Sequence, residues 1–338
     1  MQKKLLLGAL TGCLIAALAP APAYSQADFY KGKTVTVVIG ARLTGSLSLA
    51  AQLVAQHLGK YIPGNPNVIL RQMPGGAHLV ATGHVYNIAE PDGLTILAAN
   101  PNVAMAELAK MSTARFETLK YHWIGSSGTD GSLFSINSKL PYKTWQELKD
   151  SGKELVAGTT GPGSNAHDMP LLLKEFAGAK LKLVTGYAAN GDIQLAVERG
   201  EADSWSALAT TIKLGIDRGV VRALVRSRTP VEGYNHLPVD EELATDPVGK
   251  ALMGIRGIPQ SIGRPFALRP GTPADRVAML KEAFAKTIKD PDFVAAGKQA
   301  KIDMAFITAD YVTKAFQEMM NQPPHVLDAM NKLLKVGG

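Results

Sequence analysis

The run Gly158-Thr159-Thr160-Gly161-Pro162-Gly163-Ser164-Asn165 sets glycines and hydroxyl side chains where a ligand could be gripped. Gly158 and Gly163 match the spacing of a phosphate-cradling P-loop, but Ser164 stands where the lysine that neutralises β- and γ-phosphates belongs. Nucleotide hydrolysis therefore lacks its cation. What remains is a turn whose small residues let backbone N–H groups approach a ligand, with Ser164 or Asn165 capping a following helix. A helix start stabilises an anion by about 0.3–2 kcal/mol. Charge-assisted hydrogen bonds from the hydroxyls of Thr159, Thr160 and Ser164 would each contribute about 1.5–3 kcal/mol. The alternative, a plain strand–helix turn, is disfavoured by a matching loop, Arg42-Leu43-Thr44-Gly45-Ser46. There Thr44 and Ser46 offer hydroxyls, Gly45 a close backbone approach, and Arg42 a positive charge unless it turns to solvent. A third loop, Ala99-Asn100-Pro101-Asn102, is expected to open onto the same crevice.

Other chemistry finds little footing. Ser164, His167 and Asp168 are the residue types of a hydrolytic triad, yet five consecutive residues give poor access to nucleophile–base–orienter geometry, and no GxSxG elbow is present. An exported hydrolase using His167 or Asp168 is kept as the rival reading. The histidines are scattered without an HExxH pattern, so no metal site is expected. Cys13, the single cysteine, excludes an intramolecular disulfide and any CxxC site. No cofactor is expected. The acids Glu198, Glu201 and Asp203 read as a solvated helix end.

The 338 residues are 46% hydrophobic and 19% charged, an ordinary globular composition of a length that predicts two domains. Met1-Gln2-Lys3-Lys4, an apolar stretch from Leu5 to Ala19 and small-x-small positions near Ala23 and Ala27 predict a secretory leader cut after Ala27. Cys13 has a lipobox look but comes too early in the apolar run, which continues past it; a lipid anchor there is the lesser reading. No apolar run after Ala27 reaches the ~18 residues of a membrane helix, so the mature chain is expected to be exported and soluble. Lys plus Arg number 36 against 29 acids, a charge of +7; without Lys3 and Lys4, 34 basic residues face the same 29 acids, leaving +5. The basic residues form no stripe with interleaved aromatics, which speaks against nucleic acid, while a modest positive bias suits an anionic small ligand.

The elements that must position the loops alternate. Thr34–Ile39 is a β-branched strand, and Leu47, Ala50, Ala51, Val54 and Leu58 line one face of a helix for which Gly59 is a plausible C-cap. Val68–Leu70 is a second strand, 77–89 a helix and Leu94–Leu97 a third strand. The order repeats with Leu155–Ala157, a helix through Phe176, Leu181–Val184, a helix ending at Gly200, and Ser204–Leu208. Both runs predict an α/β fold of mostly parallel sheets with helices on both faces. The C-terminal part is helical, with Thr272 expected as N-cap before Pro273 and a second start at Asp290-Pro291.

Several segments resemble the tripartite tricarboxylate transporter (TctC/Bug-type) extracytoplasmic binding proteins. They are Asp28-Phe29-Tyr30-Lys31-Gly32-Lys33-Thr34-Val35, the run from His57 to Pro66, Gln72-Met73-Pro74-Gly75-Gly76 and Gly161-Pro162-Gly163-Ser164. Val184-Thr185-Gly186-Tyr187, Glu198-Arg199-Gly200-Glu201-Ala202-Asp203 and Arg269-Pro270-Gly271-Thr272-Pro273 continue the likeness, in order, through the mature chain. The resemblance implies a two-lobed periplasmic binding protein fold of type II, joined by crossing strands and closing on a carboxylate-bearing ligand. Residues 28–127 and 256–338 would form lobe 1, and 128–255 lobe 2. It implies a monomer without catalysis that delivers its ligand to membrane permease subunits; presentation to a sensor is the alternative destination. Carried over by position, Thr44, Gly45 and Ser46 would line the cleft from the first lobe. Thr160, Gly163, Ser164 and Asn165 would do so from the second, with Tyr187, Ala188 and Asn190 in the following loop. Asp203 and Ser204 match the loop after a later strand. In one departure, the first loop of relatives is Gly-rich and ends in Asp, whereas Ser48 stands at that position here.

Overall fold

The computed structural model describes residues 29–336 apart from 43 and 44. The expected leader with its cleavage site, Cys13 and Thr44 lie outside the described residues. Four strands, β1 (Thr34–Ile39), β2 (Asn67–Gln72), β3 (Thr95–Ala98) and β4 (His122–Ser126), begin a first sheet. The next five, β5 (Ser132–Asn137), β6 (Leu155–Thr159), β7 (Leu181–Thr185), β8 (Ser204–Leu208) and β9 (Val221–Arg226), make a second. β10 (Pro265–Leu268) returns to the first. The orders are β2-β1-β3-β10-β4 and β7-β6-β8-β5-β9.

Each sheet holds four strands of one direction and a single reversed strand, β10 in the first and β5 in the second. The reversal follows from how the chain crosses. β4 ends at the carboxyl edge of its own sheet, and the chain enters the other sheet at that sheet's carboxyl edge, so β5 must run backwards. β10 is reversed for the same reason on the return. The two crossings pair with each other: Ser127 N–H donates to Arg264 O (3.1 Å), and the Ser126 hydroxyl to Ile262 O (2.6 Å). A third segment joins them, with Ala305 N–H donating to Ser127 O at 3.2 Å. Gly263 has a φ of +48°, and a Cβ there would strike the Gly128 carbonyl, so the crossing demands glycine.

Alternation along the strands sorts side chains onto two faces. Val37 and Ile39 pack with Val54 and Leu58 of the helix Ser46–Leu58 and with Leu280 and Phe284 of the helix Ala274–Lys289. Val38, Leu97 and Trp123 face the helices Leu79–Asn87 and Ala309–Met320. In the second sheet Leu133, Trp205 and Ala207 meet Ile193, Val197 and Ile212, while Phe134 and Ile136 meet Met169 and Leu173. This last cluster runs without a break into the first lobe through the helix Pro247–Ile262 and Phe316.

One local expectation, for Thr272, is corrected. Gly59 is the C-cap of the helix Ser46–Leu58, as expected, but in a right-handed conformation (φ −56°) that leads into the turn Gly59–Tyr61. Its missing side chain admits the Pro66 carbonyl, 2.7 Å from where a Cβ would be. Thr272 is not the N-cap, because its hydroxyl donates to Arg269 O (2.9 Å) and the helix starts at Ala274. Positions 255 and 256, where the lobe boundary is expected, lie within the continuous helix Pro247–Ile262. Gly254, Gly257 and Pro259 argue locally against that helix. The two glycines leave the path along which the Arg228 side chain lies, its Nη2 being 2.7 Å from a Cβ built at 254.

Candidate functional site

Because both crossings join carboxyl edges, the loops after β1 and β3 face the loops after β6, β7 and β8 across a cleft. Among the described residues, no hydrogen bond joins one set of loops to the other. On the first lobe, Arg42 is exposed, and its carbonyl accepts from the hydroxyl of buried Ser48 at 2.7 Å, which ties the loop to the helix it feeds. Gly45 is exposed with φ +90°, and half-buried Ser46 begins the helix. Asn100 uses its Oδ1 to accept from Asn102 N–H (2.9 Å), so its Nδ2 is the end left for a ligand. One neighbour was not legible from the chain. His78, at φ +74°, lies against Gly40, where a Cβ would come within 2.7 Å of its Cα. Its Nδ1 is buried without a partner, and burial pushes the imidazole pKa down. The Pro74-Gly75-Gly76 loop before it was the available signal.

On the second lobe, the turn after β6 satisfies most of its own polar groups. The Thr160 hydroxyl donates to Ser164 Oγ (2.8 Å), and Ser164 Oγ donates to Gly161 O (2.7 Å) while accepting from His167 N–H (3.3 Å). Ser164 is thus the N-cap of the helix Asn165–Phe176, and its hydroxyl is committed. Asp168 accepts from Gly163 N–H (3.0 Å) and lies 2.9 Å from His167 Nδ1. His167 and Asp168 therefore form a pair, but the serine hydroxyl turns to Gly161 rather than to the imidazole. Thr159 is fully buried with its hydroxyl on Thr185 Oγ1 (3.1 Å), which removes it from the cleft wall.

Asn165 opens the helix half-buried, its Oδ1 held from behind by Gln260 Nε2 at 2.7 Å, Ser132 Oγ at 3.2 Å and Arg256 Nη1 at 3.3 Å. In the loop after β7, Ala188 is exposed, half-buried Tyr187 packs beside Gly158, and Asn190 Oδ1 accepts from Trp205 Nε1 (3.1 Å). Asp203 and Ser204 are misplaced by the sequence reading. They stand at the amino end of β8, where Asp203 Oδ2 accepts from Val156 N–H (2.8 Å) and Ser204 is fully buried. The residues that leave the carboxyl end of β8 are Leu208 to Thr210.

The floor of the cleft is charged but internally balanced. Asp130, in the first crossing, accepts from the Thr210 hydroxyl at 2.7 Å, and burial pushes its carboxyl pKa up. Arg264 donates to Asp303 O, with burial pulling its pKa down. Arg256 pairs with Asp240, both side chains being buried. Among the described residues no group of three His, Cys, Asp or Glu side chains gathers to hold a metal.

The fold and the chain have known relatives. Residues 50–332 match the model of the tripartite tricarboxylate transporter family receptor, TctC. A protein of Agrobacterium vitis from the TAR-I ttuE-ttuC' intergenic region is 24% identical over 289 residues, 82% of this chain and 78% of its own. The crystal structure of a TctC solute binding protein from Polaromonas superposes with a TM-score of 0.72 at 16% identity, covering 90% of this chain and 99% of that one. MatC from Rhodopseudomonas palustris, solved with bound malate, gives a TM-score of 0.58 at 18% identity, covering 89% and 99%. At such identities the likeness to the solved structures speaks for the fold, which is the two-lobed type II arrangement of periplasmic binding proteins. With the family model spanning most of its length, this chain belongs to the TctC receptor family of tripartite tricarboxylate transporters.

Proposed function

We infer that the protein captures a small organic carboxylate between its lobes, in the periplasm after cleavage of the leader, and hands it as a monomer to the permease subunits of a tripartite tricarboxylate-type transporter. The observation that carries this reading is the start of the helix Asn165–Phe176. Ser164 caps His167 N–H, while the backbone N–H groups of Asn165 and Ala166 precede any intrahelical acceptor and mark the positive end of the helix. MatC, with malate bound, is a precedent in the same fold.

Magnitudes demand two lobes. A helix start contributes about 0.3–2 kcal/mol toward an anion, whereas micromolar binding needs about 8 kcal/mol. The rest must come from contacts made when the lobes meet, with Gly45, Ser46, Arg42 and Asn100 on the first side. A thermal-shift screen with malate and longer and aromatic carboxylates tests the reading, since a ligand that binds only the folded chain raises its melting temperature. Stabilisation by uncharged solutes but by no carboxylate would overturn it.

A further inference from the structure

We propose that Arg256 and Gln260 are positioning residues that hold Asn165 with its amino group turned into the cleft, making Asn165 the residue through which the second lobe selects a ligand oxygen. The proposal rests on the carboxylate reading above and deepens it. Asn165 Oδ1 is ringed by Gln260 Nε2, Ser132 Oγ and an Arg256 guanidinium nitrogen, and the two nitrogens can only donate. The amide is therefore locked one way round: its oxygen faces the protein, and Nδ2, with two N–H donors, is what remains for the half-exposed side.

The backing is rigid. Gln260 is 6% exposed, and both residues sit one turn apart on the helix Pro247–Ile262. Arg256 is neutralised by Asp240, so the cradle sends no net charge into the cleft. Meanwhile the hydroxyls of Thr159, Thr160 and Ser164 are spent within their own turn and strand. In the turn after β6, Asn165 thus carries a side-chain donor left uncommitted, a neutral one that reads a carboxylate or carbonyl oxygen and rejects a ligand presenting an N–H or hydroxyl hydrogen there.

Two substitutions at 165 separate the cradle from the ligand. Asn165→Asp keeps an oxygen for the three donors but turns the second oxygen to the cleft; Asn165→Leu leaves the donors unpaired. The melting temperature should hold or rise in Asn165→Asp and fall by several degrees in Asn165→Leu. Calorimetry with malate and adipate as probes should show at least a tenfold loss in Asn165→Asp. Gln260→Met should weaken the same probes about fivefold in the wild-type background and not at all in Asn165→Leu, a coupling that a merely structural role would not produce. Arg256→Gln should behave alike; if it fails to fold, Gln260→Met carries the test.

Equal melting temperatures for the two Asn165 variants, or additive losses of affinity, would overturn the proposal. If no carboxylate binds the wild type, the functional reading fails. The cradle is then judged by melting temperature alone: non-additivity of Asn165→Leu and Gln260→Met supports it, and additivity overturns it.

Discussion

Ser164 shows how a residue of the right type in the right loop can serve the fold rather than the ligand. Its hydroxyl both donates and accepts within the turn, so it orders the donors beside it instead of reaching out. Ser164→Ala should cost about 1 kcal/mol, the usual worth of an N-cap, read as a shift in the urea midpoint. Carboxylate affinity should fall less in this variant than in Asn165→Asp. A larger loss of affinity than of stability would return Ser164 to the ligand. Thr159 illustrates a second confusion. The last residue of a strand and the first of its loop are neighbours in sequence, yet Thr159 is sealed under the sheet and Thr160 is half-exposed.

Among the elements, the joint between the first helix and the C-terminal helices turns on Asp290. Its carboxylate caps the helix Pro291–Gln299 through Asp292 N–H (2.8 Å) and accepts from Lys60 Nζ (2.7 Å) and the Tyr61 hydroxyl (2.6 Å). The hydrogen bond from Lys60, then that from Tyr61, holds its pKa well below the ordinary carboxylate range. A depressed pKa means that the folded state prefers the charged form. Its contribution is full above the unfolded value near 4 and drains away as the pH falls below that. Asp290→Asn should lower stability at neutral pH and flatten the acid limb, measured by urea unfolding between about pH 2 and 7. At the crossing, Gly263→Ala would place a Cβ against the Gly128 carbonyl in a left-handed backbone. It should lose about 1–3 kcal/mol or more in the same assay, whereas Gly219→Ala, with open space around it, should cost only the strain of its own turn.

For the whole molecule, the question is what ties the two lobes together. Arg228 bridges Glu241 (2.9 Å) and Glu318 (2.8 Å), and Glu318 lies on the helix Ala309–Met320 that packs on the first sheet. Glu318 is half-exposed, and such pairs are worth about 0–1 kcal/mol. Phe316, two residues earlier and on the opposite side of the helix, is fully buried and stacks on Trp123 with ring centroids 4.5 Å apart. Phe316→Ala should cost about 3–5 kcal/mol and Glu318→Gln under about 1, so the apolar packing of this helix on the first sheet outweighs the ion pair that it sends across to Arg228. Equal losses in denaturant unfolding would reverse that ranking. Closure of the lobes on malate should shrink the radius of gyration in solution scattering, and an unchanged value at saturation would argue against a hinged grip.

Periodicity and turn chemistry were enough to reveal the alternating α/β plan and the helix face of Leu47 to Leu58, because these depend on residues near one another in the chain. The same local signals were misleading wherever a distant group took over the side chain's role. Gly254 is there for the Arg228 guanidinium, and the helix through Pro259 stands because both lobes pack on it. Asp203 stands at the amino end of β8, a matter of strand direction that only the sheet order reveals. Asn165 could be picked out from its loop, but the orientation of its amide was set by residues about ninety positions further on, brought behind it by the return crossing. Local sequence chooses which groups are available; the tertiary fold decides which of them remain unspent, because a hydrogen bond already made inside the protein cannot also be offered to a guest.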